Sequence, residues 1–383
     1  MDKDIPVYNQ SISGSGAAPL KTIGAPPTPP GRAAAAAEMP TGITTKSDGS
    51  CLLWSSRLDQ CTRNCDLEPH FVVEFQEQYR LGRSMQPTIL AVFLAFSAAA
   101  LSMSAAGLTL LAIGLLAAKD DIAQARGIDK IGALTHLCFA IPLAVFGAEH
   151  LSSQQSMLAL VPSYMPWRMF WVYFVGFALI GASLSIATKR QVRWSGLLFG
   201  AMMFLFVAML HLPGAITAGS RIPWTIVVRE MSFGGAGWIL AGIAMGGDRQ
   251  GLGKGLIVVG RVPIAIAAIF FGVQHFLHPL GLPGVPLAKQ MPPWVPARAF
   301  IDYMTGAFLM IAGVCFLLAW KTRIAATYLG AWILLLVVVI YGPVLIGALA
   351  DPGDGVQVEG VNYFADTLLF GGAILSLAGS NRK

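Results

Sequence analysis

Nine stretches of this chain stay apolar for about the length needed to cross a lipid bilayer, and that leaves few ways to fold. They fall at about 88–118, 131–151, 167–187, 195–217, 230–246, 256–277, 299–320, 324–349 and 362–380. Composition agrees: 55% of the 383 residues are hydrophobic and only 12% are charged. In hydrocarbon a backbone amide finds no water, so each crossing must satisfy its own hydrogen bonds as a helix. The expected fold class is an all-α membrane protein of about nine transmembrane helices.

The net charge of +6 does not point to nucleic acid. After the first crossing the cations collect in alternate loops: Lys119, Arg126 and Lys130; Lys189, Arg190 and Arg193; Arg249, Lys254 and Arg261; Lys321 and Arg323; Arg382 and Lys383. Basic residues held on the cytoplasmic side produce this pattern without a partner. The lipid bilayer is then the expected surrounding, in a bacterial inner (plasma) membrane with the C-terminus cytoplasmic.

The later crossings repeat themselves. Phe146-Gly147-Ala148-Glu149-His150 returns as Phe271-Gly272-Val273-Gln274-His275, and Pro162, Pro166, Arg168, Tyr173 and Gly176 return as Pro292, Pro296, Arg298, Tyr303 and Gly306. His211-Leu212-Pro213 matches Tyr341-Gly342-Pro343, and the run from Phe233 to Gly242 matches that from Phe370 to Gly379. Matches in the same order indicate an internal duplication. The division expected is a lead helix and loop over 85–130, one four-helix unit over 131–246 and a second over 256–383. An even number of crossings gives both copies one orientation, related by a pseudo-twofold along the membrane normal.

Residues 1–84 differ in kind, with Pro26-Pro27-Thr28-Pro29-Pro30, alanines at 33–37 and no periodicity, and read as a disordered tail. Met85 reads as an alternative start. Cys51, Cys61 and Cys65 with His70 match no common zinc spacing, no CxxC is present, and Cys138 and Cys315 fall in apolar crossings as packing residues.

Polar residues gather at one end of each unit. Glu149 and His150 close the first crossing of unit one, Arg168 opens the second, His211 closes the third, and Arg229 and Glu230 open the fourth. Unit two offers Gln274, His275, Arg298, Tyr341 and Asp366, with Asp302 one turn from Arg298, and Tyr173 and Tyr303 follow the two arginines. Ionisable groups in a membrane pair or line a wet cavity, so each unit is expected to hold a polar cup on the outer face. The bland reading is that the arginines snorkel and the histidines merely end helices. Arg229 and Asp366 lie equally far before their matching Phe233 and Phe370, so opposite charges at identical positions are expected to meet across the pseudo-twofold.

FGAEH with VPSYMPWR (Val161 to Arg168), a Tyr-x-x-Gly helix and a TKR turn (Thr188 to Arg190) resembles the DoxX-like four-helix membrane proteins. FGVQHF with MPPWVPAR (Met291 to Arg298) is similar. The resemblance implies a quinone or thiol link and membrane redox complex subunits as partners, although most members of that family have no assigned activity. A quinone needs only an apolar slot with a His, Tyr or Arg for its oxygens. Haem would need facing histidines, which His150 and His211 supply and His275 with Tyr341 does not. Two functions remain open: a redox-associated subunit with an outer-facing quinone or small-molecule pocket, and a non-catalytic scaffold or lipid-binding protein.

Overall fold

A computed structural model describes residues 96–246 and 251–380, together with two short strands, β1 (Ile43–Thr45) and β2 (Cys51–Leu53), which pair antiparallel in a separate unit. Apart from those strands, the expected tail with Cys61, Cys65 and His70 lies outside the described residues. The rest is helical: α1 (Ala98–Gln124), α2 (Asp129–Ala133), α3 (Thr135–Ser152), α4 (Gln154–Leu160), α5 (Arg168–Ala187), α6 (Val192–Phe206), α7 (Leu212–Ala218), α8 (Arg221–Ala244), α9 (Leu252–Leu277), α10 (Arg298–Leu317), α11 (Thr322–Leu336), α12 (Gly342–Leu349) and α13 (Asp354–Gly379). Single π-helical turns, Val207–His211 and Val337–Tyr341, join α6 to α7 and α11 to α12. Nine crossings result among the described residues.

The π turns have a cause in the sequence. Pro213 and Pro343 follow them, and a proline inside a helix lacks the N–H its turn needs and crowds the carbonyl four residues back. The helix relieves this by widening, so that Leu212 N–H reaches Val207 O and Gly342 N–H reaches Val337 O. The chain stays helical beyond both turns, through Ala218 and Leu349, as the expected crossings 195–217 and 324–349 require. His211 lies two turns inside the third crossing, a correction to its expected place at the end.

Arg229 and Glu230 move inward in the same way. The fourth crossing was expected to begin at 230, whereas α8 begins at Arg221, whose guanidinium donates to Pro286 O (3.0 Å) and Leu287 O (3.4 Å). A cation satisfied by two carbonyls can open a helix that hydropathy alone would start later. Likewise α13 begins at Asp354, so Asp366 sits deep within it.

Packing links the two halves closely. α3 pairs with α5, α6 with α8, α9 with α10 and α11 with α13, but the first helix of each half packs on the fourth of the other: α9 on α8, and α3 on α13. α8 and α13 also touch, and α1 lies against α3. Over an apolar 18-residue stretch of α13 89% of the residues are buried inside the protein, against 28% for the same length of α1, so α13 runs through the centre and α1 faces lipid. Lipid tails are as apolar as leucine, so close approach of small residues drives this packing. At the α8–α9 crossing a Cβ on Gly260 would stand 2.2 Å from Gly235 O, and one on Gly235 would stand 2.4 Å from Gly260 O.

Matched positions share unusual backbone. Trp167 and Ala297, just before the two arginines, are left-handed (φ 51° and 49°), as are Lys189 with Gln191 and Ala319 with Lys321 in the later turns. Such conformations are uncommon for side-chain-bearing residues, so their recurrence at matched places constrains both halves alike.

Gly235→Val should lower the thermal unfolding midpoint in detergent, with a cost of about 1–3 kcal/mol or more for forcing a branched side chain into a filled contact. Gly255→Ala on α9, where an added Cβ meets nothing within 4 Å, should not lower the midpoint and should raise it slightly, since Ala favours a helix over Gly.

Candidate functional site

The two matched arginines are clamps on their own loops. Arg168 donates through Nε to Val161 O (3.0 Å) and through Nη2 to Leu158 O (2.7 Å), while Arg298 Nη1 donates to Met291 O (3.3 Å), again seven residues back. Their repetition is thus tied to holding the loop before α5 and α10. Tyr173 and Tyr303 are 40% and 42% exposed, and Tyr303 stacks on Phe276, so these two lie on the outer surface and not among the polar side chains.

Arg229 and Asp366 do meet, with Nη1 2.5 Å from Oδ2 across α8 and α13. The same guanidinium donates to Glu230 Oε1 from Nη2 (2.9 Å) and Nε (3.2 Å). Glu149, buried on α3, accepts from Asn362 Nδ2 (2.9 Å) on α13 and lies within charge–charge range of Arg229 and Asp366. One cation therefore faces three carboxylates in a region of low dielectric, where each contact is stronger than in water and each unpaired charge more costly. No three His, Cys, Asp or Glu side chains converge as a metal site among the described residues.

The cup of the second half is filled by its own chain. His275 is 1% exposed, and its Nδ1 lies 2.6 Å from Phe271 O. A carbonyl only accepts, so Nδ1 carries the proton, and in the neutral ring Nε2 is left as an acceptor. Gly284 N–H donates to that nitrogen (2.9 Å), while Tyr341 Oη donates to Pro283 O (3.0 Å). The carbonyl of Pro283 and the N–H of Gly284 belong to one peptide group. A single amide thus spans the space between the histidine and the tyrosine, with Leu282, Val285, Met291 and Val295 buried around it. Gly284 has φ 111°, a conformation that favours glycine. Asp302 Oδ1 stands 3.5 Å from His275 Nε2, and neither its oxygens nor Gln274 Oε1 has a hydrogen-bond partner among the described residues.

In the first half the same frame lacks the filling. His150 Nδ1 makes the matching bond to Phe146 O (2.8 Å), which leaves Nε2 an acceptor as before. The loop from Ser153 to Trp167 is shorter than that from His278 to Ala297 and forms α4, none of whose residues is buried. His150 and His211 are both half-buried, and His211 lies within charge–charge range of Glu230 and Arg229. Of the thirteen expected site residues, Glu149, Arg229 and Asp366 share one cluster, and His275, Asp302 and Tyr341 lie around the filled cup, while the buried Gln274 side chain, next to His275 in sequence, is hydrogen-bonded to neither group among the described residues.

Two partners were not foreseen, whereas Glu230, expected beside Arg229 among the polar residues of the first unit, does pair with it. Asn362 stands one helical turn before Asp366 and on its face, a spacing that offered a signal. The Pro283–Gly284 amide offered none, because backbone groups leave no side-chain signature.

Nine apolar crossings around a buried ionic cluster define a polytopic α-helical membrane protein. Compared with family models, curated proteins and solved structures, the chain matches none of them.

Arg229→Ala and Asp366→Ala should each destabilise the detergent-solubilised protein by about 3–5 kcal/mol, the usual cost of leaving a buried charge without its partner. The exchange R229D/D366R should recover most of that loss. A double exchange no more stable than the worse single variant would show that the contact itself contributes little.

Proposed function

We propose that this is a bacterial inner-membrane protein made of two copies of one four-helix unit, and that the first copy holds a small hydroxyl-bearing ring compound of the quinol class in its cup. The observation that supports this is the Pro283–Gly284 amide: the second copy places a donor on His275 and an acceptor on Tyr341 from its own backbone. The first copy has His150 and His211 at the matching positions, and no residue of its Ser153–Trp167 loop is buried.

The chemistry of the vacated frame narrows the ligand class. His150 Nε2 in the neutral ring accepts, so it requires a donor, and His211 can then donate to or accept from the same group. A phenolic hydroxyl both donates and accepts, which a quinone carbonyl does not. The reduced ring is therefore the better fit, and the neighbouring Glu149 and Glu230 favour a ligand without negative charge. On this reading the protein serves a membrane redox complex, as the DoxX-like resemblance implies, with the cups towards the outer face and the basic turns and the C-terminus in the cytoplasm.

Duroquinol titrated calorimetrically into the purified protein tests the site. His150→Ala should weaken binding roughly ten-fold, in line with about 1.4 kcal/mol for one hydrogen bond. His275→Ala should leave it within about two-fold, since that ring is already occupied. Equal affinity in wild type and His150→Ala, or no binding to wild type, would defeat the proposal.

Orientation is tested separately. A phosphatase fusion, active only outside, should be silent after Lys383 and active within the turn around Pro352; the reverse pattern would place the cups on the cytoplasmic side.

A further inference from the structure

The helix ends away from the cups carry two cavities, of about 630 Å³ and about 730 Å³. They are built from matched positions of the two halves. The first is lined by His136 on α3 and by Lys189, Gln191, Val192 and Arg193 at the turn into α6. The second is lined by Arg261 on α9 and by Ala319, Lys321, Thr322 and Arg323 at the turn into α11. His136 and Arg261 stand equally far before the matching His150 and His275, so both cavities place a basic side chain there.

Their charge differs. In the first, Lys189 is ion-paired with Asp121 at the end of α1. The second has Arg261, Lys321 and Arg323 along its wall and no carboxylate, and no ion pair involves Arg261 or Lys321 among the described residues. Arg261 Nε is buried without a hydrogen-bond partner, although a guanidinium N–H out of water needs an acceptor. Thr322 and Tyr328 add hydroxyl groups to the same wall, whereas the Thr327 hydroxyl donates to Arg323 O (2.8 Å). Two cations without an ion-pair partner among the described residues, Arg261 and Lys321, with hydroxyl donors beside them, suit a phosphate group.

The surroundings indicate what carries the phosphate. Ile324 and Tyr328 line the cavity and are 56% and 67% exposed, and Leu335 and Val338 continue along the same crossing at 51% and 70%. An apolar wall of this length beside a basic pocket at a helix end accommodates acyl chains, whereas a water-soluble phosphate compound would leave it unused. We propose that the cavity formed by Arg261, Lys321 and Arg323 binds the phosphate headgroup of an anionic phospholipid, with the acyl chains lying on α11.

The test is lipid retention by the full-length protein in native mass spectrometry, with phosphatidylglycerol, phosphatidylcholine or inorganic phosphate supplied in detergent. Wild type should retain phosphatidylglycerol at least ten-fold over phosphatidylcholine, and R261Q/K321Q should lose that preference, while K189Q at the first cavity should keep it. Should the double variant fail to accumulate, K321Q alone, at an exposed side chain, should reduce the preference several-fold. Equal retention of the two lipids, or an unchanged preference in the Lys321 variants, would overturn the site. Displacement of the lipid by millimolar inorganic phosphate would overturn the choice of lipid in favour of a free phosphate compound.

Discussion

The contact between Arg229 and Asp366 fixes how the two halves of this protein meet. At a helix centre, membrane insertion scales charge about 2.5–3.5 kcal/mol for such a residue, and less toward the interface. Each charge is tolerated here because the other lies 2.5 Å away and because Glu230 and the Asn362–Glu149 bond complete the surroundings. Replacing the whole cluster by apolar residues would not necessarily weaken the fold, since a buried ion pair is poor evidence for net stability. What the cluster supplies is register. A one-residue slip of α13 against α8 would turn Asp366 about 100° from Arg229 and move Asn362 away from Glu149, leaving every charge exposed to hydrocarbon.

Register at the centre carries outward through the packing. α13 touches both α3 and α8, so the cluster holds the first and fourth helices of the first half at once. α8 in turn fixes α9 through the Gly235–Gly260 approach, and α9 carries His275. The Arg221 contacts to Pro286 and Leu287 then run from α8 to the loop that fills the second cup. That loop is held from both halves, which helps it serve as a permanent filling. Among the described residues no arginine of the second half bonds the shorter loop of the first, so two frames with the same histidine bond differ in how their loops are held.

Much of this was legible in the sequence, and the reasons are physical. Crossings are long apolar runs, so their number could be counted directly. The Arg229–Asp366 contact followed from aligning the two FGGA motifs, because opposite charges at matched positions can meet across an axis. Helix starts were less legible: hydropathy begins α8 at 230, and only the two carbonyls that accept from Arg221 explain why it begins earlier. The crossing of α3 with α13 depends on contacts between the ends of the chain, where a Cβ on Gly372 would come 2.9 Å from Cys138 Cβ, and no local pattern encodes it. The filled cup was illegible for another reason, since its two key groups are backbone atoms.

The same alignment that exposed the ionic contact also shows how two similar halves divide their roles. Matched positions keep whatever builds the frame: the arginine clamps, the histidine bond to the preceding turn, the left-handed residues and the π turns forced by Pro213 and Pro343. They differ at several of the polar positions. His211 stands against Tyr341, Glu149 against Gln274, and Lys189 against Ala319. Each difference shifts one half towards an occupied or neutral state and the other towards an open or charged one. At the cup end the loop of the second half is buried against its histidine, while none of the α4 residues in the first half is buried. At the basic end the order reverses, because Asp121 on α1 neutralises Lys189 in the first half, and α1 has no counterpart in the second. The lead helix thus contributes to the asymmetry as well as to packing: by covering one basic turn and not the other, it leaves the second half to meet anionic groups at the membrane surface.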